Sequence, residues 1–150
     1  MSTVLKLSEA ASIAFHAMLF VAENTDGPVS AKTIASALDV SEAHLAKVLQ
    51  RLAGVGLLRS TRGPKGGFTL GKPAKKITLL DVYEAIEGAL SSARCLFGTP
   101  ICDRKQCIFG EILPEVSKRL REHMATKTLF QLAKGGSISR AKTQENRHNR

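Results

Sequence analysis

Two short amphipathic stretches joined by one tight turn, with a glycine-rich basic hairpin straight after them, restrict this chain to few folds. Ser30 precedes Ile34, Ala35 and Leu38; Asp39-Val40 follows; Ser41 then precedes Leu45, Val48, Leu49 and Leu52. Serine is a favoured helix N-cap because its hydroxyl accepts from a free amide of the first turn. The apolar residues recur at the spacing of one helix face. Both stretches are therefore expected to be helices, and helices joined so tightly form a helix-turn-helix. Gly54 and Gly56 end the second helix. Leu57–Ser60 and Phe68–Leu70 read as strands joined by Thr61-Arg62-Gly63-Pro64-Lys65-Gly66-Gly67, a hairpin with a basic tip that Pro73 closes.

The flanking sequence completes a mainly helical plan. Ile13, Ala14, Ala17, Met18 and Val21 predict a helix from about Ser8 to Glu23, stopped by Asp26-Gly27-Pro28. Thr78 caps a helix carrying Leu79, Val82, Tyr83 and Ile86, and Gly88 ends it. Ser91 to Gly110 contains Gly98 and Pro100 without a clear period and reads as a loop. Phe109, Ile112, Leu113, Val116, Leu120 and Met124 then mark a helix of about five turns, with Pro114 in its first turns, where a missing amide costs least. Thr128 to Gln131 is a capping-box pattern opening a last short helix before Gly135-Gly136. The expected fold class is mainly α: a winged helix-turn-helix with a small β-hairpin wing plus a long C-terminal dimerisation helix. The expected organisation is residues 1–76 as the DNA-binding domain, 77–134 as linker helix, cysteine loop and dimerisation helix, and 135–150 as a disordered basic tail.

Charge narrows the partner class. The 150-residue chain carries a formal net charge of +9, which favours a polyanion because phosphate neutralisation releases counterions. Lys134, Arg140, Lys142, Arg147 and Arg150 against Glu145 leave a net charge of about +4 at the C-terminal end. Much of the remainder lies between Arg59 and Lys76. The apolar run Ala10–Ala22 is preceded by Glu9, interrupted by His16 and continues an amphipathic pattern, so neither a signal peptide nor a membrane span is expected. With unpaired cysteines this points to a reducing, cytoplasmic setting.

On the helix from Ser41 to Leu52 the core stripe leaves Glu42, His44, Lys47 and Arg51 outward. Residues near the start of such a helix reach base edges in the major groove, and basic ones also contact phosphate. Charged side chains on an exposed helix face commonly do no more than solvate it, so the basic wing behind this one is the added evidence. Arg62, at the glycine-rich tip, has the reach for a minor groove, where arginine is favoured electrostatically. Lys65 and Lys72 suit phosphate. The expected partner is double-stranded DNA.

These strings resemble a known family. Ser41-Glu42-Ala43-His44-Leu45-Ala46-Lys47-Val48-Leu49, Gly56-Leu57-Leu58 and Arg62-Gly63-Pro64-Lys65-Gly66-Gly67-Phe68-Thr69-Leu70 are similar to the IscR/NsrR-type winged-helix regulators. The likeness continues through Ile77-Thr78-Leu79-Leu80-Asp81-Val82-Tyr83-Glu84-Ala85-Ile86-Glu87-Gly88 and covers about residues 4–133. It implies a homodimer with crossed long helices, an operator of imperfect dyad symmetry, and DNA affinity set by effector state at the cysteine loop.

The chain's three cysteines, Cys95, Cys102 and Cys107, fall within thirteen residues of that loop. Thiolates are soft ligands suited to iron–sulfur clusters and zinc. Six residues and then four separate them, which is not the close Cys-x-x-Cys pairing of a zinc ribbon. Spacing alone leaves a cluster, zinc, a thiol switch and buried structural cysteines open. The resemblance implies one iron–sulfur cluster per subunit, with two or four irons, although the commonest family pattern places five residues between successive cysteines. It further implies a non-cysteine fourth ligand, either just beyond the third cysteine or from the partner's first helix. Gly110 cannot ligate, though Glu111 is adjacent. His16, one turn from Ser12 on the polar face of the first helix, is the leading candidate, against the ordinary case of a surface histidine.

The expected function is therefore transcriptional regulation, more specifically repression, with operator affinity set by a cluster sensing iron, redox state or nitric oxide. The nearest alternative is a cluster-free cysteine thiol switch. Another is a winged helix used for protein contact, with zinc on the cysteines. An enzyme is not expected: Gly63–Gly67 lies inside a hairpin rather than before a helix, and no nucleophile–base–orienter set is present.

Overall fold

The computed structural model describes residues 5–92, 94–97, 99, 101–102 and 107–136. The expected tail from residue 137 onward, and Gly98 and Pro100 of the cysteine loop, lie outside the described residues.

Helix α1 (Glu9–Glu23) starts where Ser8 Oγ accepts from the Ala11 amide at 3.1 Å. Its buried face is Ala11, Ile13, Ala14, Ala17, Met18, Val21 and Ala22. The four alanines allow close approach, and α1 touches most of the fold around it. Helix α2 (Ala31–Leu38) is capped by Ser30 and α3 (Glu42–Gly54) by Ser41, each hydroxyl accepting an amide at 3.1 Å. Between them Asp39 takes a left-handed conformation (φ 56°, ψ 48°), which few residues besides glycine tolerate and a short polar side chain does. Leu45, Leu49 and Leu52 of α3 are fully buried, each worth about 1.5–3 kcal/mol of transfer free energy.

Strands β1 (Leu58–Thr61) and β2 (Gly67–Leu70) form an antiparallel hairpin in the register Leu58↔Leu70 to Thr61↔Gly67. The first strand lies one residue later than the sequence expectation, and the second begins one residue earlier, at Gly67, with the same end. Val29 adds a bridge to Phe68, with N–O distances of 2.9 and 2.8 Å, and so ties the wing to the segment before α2. Glycines allow the close approaches here, Gly67 at the bridge and Gly71 at the base of the hairpin. A Cβ at Gly67 (φ 150°) would meet the Val29 carbonyl oxygen at 2.5 Å, and one at Gly71 would meet that of Gly56 at 2.2 Å.

After one turn of 3-10 helix (Ala74–Lys76), α4 (Leu79–Glu87) begins with a full capping box between Thr78 and Asp81. Helix α5 (Ile112–Thr126) is about four turns long rather than five. It starts late because Gly110, at φ 56°, closes a turn on the Cys107 carbonyl (2.9 Å). Pro114 falls in its first turn, as expected. Helix α6 (Leu129–Lys134) carries the anticipated capping box of Thr128 and Gln131, and Lys75 and Lys134 lie over its Phe130 ring at 4.6 and 4.2 Å.

One main core gathers α1, α2, α3, β1, Ile77, α4 and Leu129. Residues on both sides of residue 76 share it. A second, smaller cluster of Tyr83, Leu90 and Met124 joins α4 to α5. The fold is a mainly helical winged helix-turn-helix with a two-stranded wing, as the sequence predicts.

Candidate functional site

Helix α3 packs against α1, α2, α4 and β1, so its buried stripe fixes which residues face out. Glu42 and Lys47 are exposed. His44 is partly buried, and its Nδ1 stands 3.9 Å from Glu9 Oε2 of α1. Arg62 and Lys65 are exposed at the hairpin tip, where the Gly66 amide donates to the Gly63 carbonyl at 2.9 Å. Lys72 is exposed where the hairpin ends. Glu42, Lys47, Arg62, Lys65 and Lys72 thus remain free to meet a ligand on α3 and the wing that packs against it.

Arg51 is set apart from that group. Its Nη2 donates to the Ile86 carbonyl at 2.7 Å, holding the C-terminal end of α4. Helical periodicity groups Arg51 with the groove-facing residues because it tells which way a side chain leaves a helix. It does not tell what a long side chain then reaches.

The nearby Glu87, whose side chain is only 5% exposed, accepts from the Ser8 amide at 2.9 Å and faces Lys6 Nζ at 3.8 Å. Hydrogen bonding from the Ser8 side chain, helped by its amide and by the charges of Lys6 and Arg51, outweighs burial and holds the Glu87 carboxyl below its ordinary range.

The cysteine segment is built differently. Cys95 is half-buried, and Cys102 and Cys107 are exposed free thiols. The Phe109 amide donates to Cys107 Sγ at 3.5 Å. Among the described residues no three His, Cys, Asp or Glu side chains are gathered as a metal-binding group. The donor chemistry nonetheless suits an iron–sulfur cluster: three soft sulfurs, one already receiving a backbone N–H, in a run with Leu96, Phe97, Ile101, Ile108 and Phe109, which expose apolar surface.

His16 is exposed on α1, and its Nδ1 lies 2.7 Å from the Ser12 carbonyl oxygen. That carbonyl can only accept, so Nδ1 donates and the neutral ring presents Nε2 as an electron-pair donor. Metal-binding histidines are commonly oriented this way. Beside it is an open groove with Ile13, Ala37, Leu38 and Val40 as its apolar lining and Glu9, Ser12 and His16 as its polar one. Among the described residues of one copy, His16 and the cysteines form no group of three or more metal-binding side chains.

A capped helix pair with an outward reading face and a basic wing defines the class: a winged-helix, DNA-binding transcriptional regulator. A profile of the Rrf2 family, described as iron-dependent transcriptional regulators, matches residues 7–135. The chain belongs to that family, which is one of regulators and not of enzymes. It is 29% identical over 145 residues to the HTH-type transcriptional regulator IscR of Klebsiella pneumoniae, covering 96% of this chain and 89% of that one. Its fold is similar to that of CymR, the global cysteine regulator of B. subtilis, with a TM-score of 0.74, 27% identity, and coverage of 89% and 99%. It is also similar to IscR of T. potens, with a TM-score of 0.70, 27% identity, and coverage of 87% and 88%. Among the described residues no helix is long and apolar enough to cross a membrane.

Proposed function

We propose that this regulator binds an operator of dyad symmetry as a homodimer, represses transcription there, and changes its operator affinity with the state of Cys95, Cys102 and Cys107. The observation that carries the reading is the position of the thiols, which lie in the segment joining α4, packed on the reading helix, to α5. Glu42, His44 and Lys47 enter the major groove, Arg62 the minor groove, and Lys65 and Lys72 hold phosphates. Arg51 keeps α4 in place. In the dimer α5 meets its counterpart through Ile112 and Val116, which are 49% and 42% exposed in one copy.

The three cysteines would hold one iron–sulfur cluster per subunit, with His16 Nε2 of the second copy as fourth ligand. When bound, the cluster supplies iron that reacts with oxygen or nitric oxide and that responds to iron supply. The protein's own part is to orient His16 through Ser12 and to surround the sulfurs with apolar side chains. Anaerobic purification tests this directly. A coloured protein containing iron and sulfide, whose visible absorption is lost in Cys102→Ser, is the expected result.

A second reading is favoured by the exposure of Cys102 and Cys107 as free thiols. In it, an oxidant converts two of the three cysteines to a disulfide, which alters DNA binding without a cluster. A colourless anaerobic preparation that binds DNA tightly, and loses that binding on peroxide treatment, would establish it instead.

A further inference from the structure

The C-terminal end of α4 is held from three sides, immediately before the cysteine segment begins. Helix C-termini leave carbonyls without partners and carry partial negative charge, so a guanidinium is a strong ligand for them. Arg51, in the last turn of α3, takes the Ile86 carbonyl at 2.7 Å. Arg121, in the middle of α5, takes the Leu90 carbonyl with its Nη2. Glu84 accepts the Leu90 amide at 3.1 Å, and Glu87 accepts the Ser8 amide at 2.9 Å. Leu90 is itself 4% exposed and packs with Tyr83 and Met124. Residues 84–90 are thereby tied to α1, α3 and α5 at once, and Ser91 opens the segment that carries the thiols.

We infer that Arg51 and Arg121 are positioning residues that relay the state of the cysteine segment to the reading helix through the last turn of α4. The inference rests on the proposed role of that segment as the regulatory element. Any rearrangement of residues 91–110 acts first on Leu90 and on α5, the two groups that Arg121 joins. Ile86 lies four residues before Leu90, across the Gly88 cap that ends α4, and Arg51 lies one turn beyond Lys47 on the same rigid helix. A shift at the α4 terminus therefore displaces α3 as a body. Arginine suits both places because a planar guanidinium keeps its direction while donating, whereas an ammonium is a point charge on a flexible stem. Glu87 balances the charge of Arg51 without taking its donor from Ile86.

Amide hydrogen exchange on the cluster-free full chain tests the relay without reference to DNA. In Arg121→Met, exchange in the peptide covering residues 51–57, on α3 and not on α5, should rise by about tenfold, the loss expected for one charge-assisted hydrogen bond. Arg121→Lys, which keeps a charge and a donor, should show a smaller rise, and it serves alone if Arg121→Met does not fold. Exchange that rises only within residues 84–92 and 117–125 would overturn the relay. Operator affinity with and without the cluster, on a duplex selected by the wild-type protein, is the second readout. The ratio of the two affinities should fall by at least about threefold in Arg121→Met, with partial rescue in Arg121→Lys. An unchanged ratio would overturn the relay. If the wild-type ratio is itself one, the sensor reading fails, and the exchange result still decides whether α5 is linked to α3.

Discussion

The reading part of this molecule and its cysteine segment are built on opposite principles. From Glu9 to Leu90 the apolar residues close on one another: Met18, Ile34, Leu45, Leu49, Leu52, Ile77 and Val82 are all below 2% exposed. The four α-helices in that stretch each begin at a side-chain cap. From Leu96 to Val116 the reverse holds. Seven of the ten large hydrophobics exposed among the described residues lie there: Leu96, Phe97, Ile101, Ile108, Phe109, Ile112 and Val116. Helix α5, at the end of that run, starts without a side-chain cap. A surface of that kind is uncommon on a monomer and marks a place where another surface or a ligand is expected. The first region closes its apolar surface on itself; the second leaves apolar surface open.

The sharpest break between the two should come from truncating a side chain in each. Leu49→Ala should cost about 2–5 kcal/mol in urea unfolding, while Ile108→Ala, at a site 72% exposed, should stay within about 0.5 kcal/mol. A comparable loss at both positions would remove the distinction. Placing a charge on the exposed face should act on assembly rather than on folding. Val116→Asp is expected to shift sedimentation from dimer to monomer while leaving the helical circular dichroism intact.

Next in size is the buried carboxylate beneath the reading part. Its folded pKa lies below the ordinary value of 4.5, so its contribution is present at neutral pH and lost as pH falls through the acid range below 4.5. Glu87→Gln should lower stability at pH 7 by about 1.5–3 kcal/mol and flatten that acid-side decline in a pH series of denaturation midpoints. An undiminished decline would place the titrating group elsewhere. The smallest effects belong to the exposed wing. Arg62→Ala or Lys65→Ala should leave the melting temperature nearly unchanged and reduce the slope of log affinity against log salt by about one for each phosphate no longer neutralised. An unaltered slope would take that residue out of the interface.

How much of this was legible in the sequence follows from how local each interaction is. Ser30, Ser41 and Thr128 were readable as caps because donor and acceptor lie three residues apart. The hairpin is readable from its glycine-rich basic tip, and only its strand bounds differ, by one residue. The bond from Arg51 to Ile86, 35 residues away, is not legible there, because no local pattern reports such a pairing. The same holds for Glu87 with Ser8, 79 residues apart, and for the bridge of Val29 to Phe68. Glu9 and His44, 3.9 Å apart, were each visible as polar positions but not as neighbours. The Thr78–Asp81 box is equally local, but Asp stands at the third position where Glu or Gln is usual, so only the Thr78 cap is legible. The cysteines were legible as soft donors through chemistry alone; what brings donors together is tertiary and quaternary geometry, which spacing does not encode.

The central claim is that the thiol segment, with its exposed apolar side chains, governs the well-packed reading helix. The direct measurement is operator affinity of one anaerobic preparation, with iron and sulfide quantified, before and after the cluster is removed, alongside Cys102→Ser. The account predicts at least about a tenfold change on removal, typical of an allosteric coupling, and a Cys102→Ser protein fixed at the affinity of the cluster-free form. Equal affinity in all three samples, with the cluster shown to be present in the first, would contradict it.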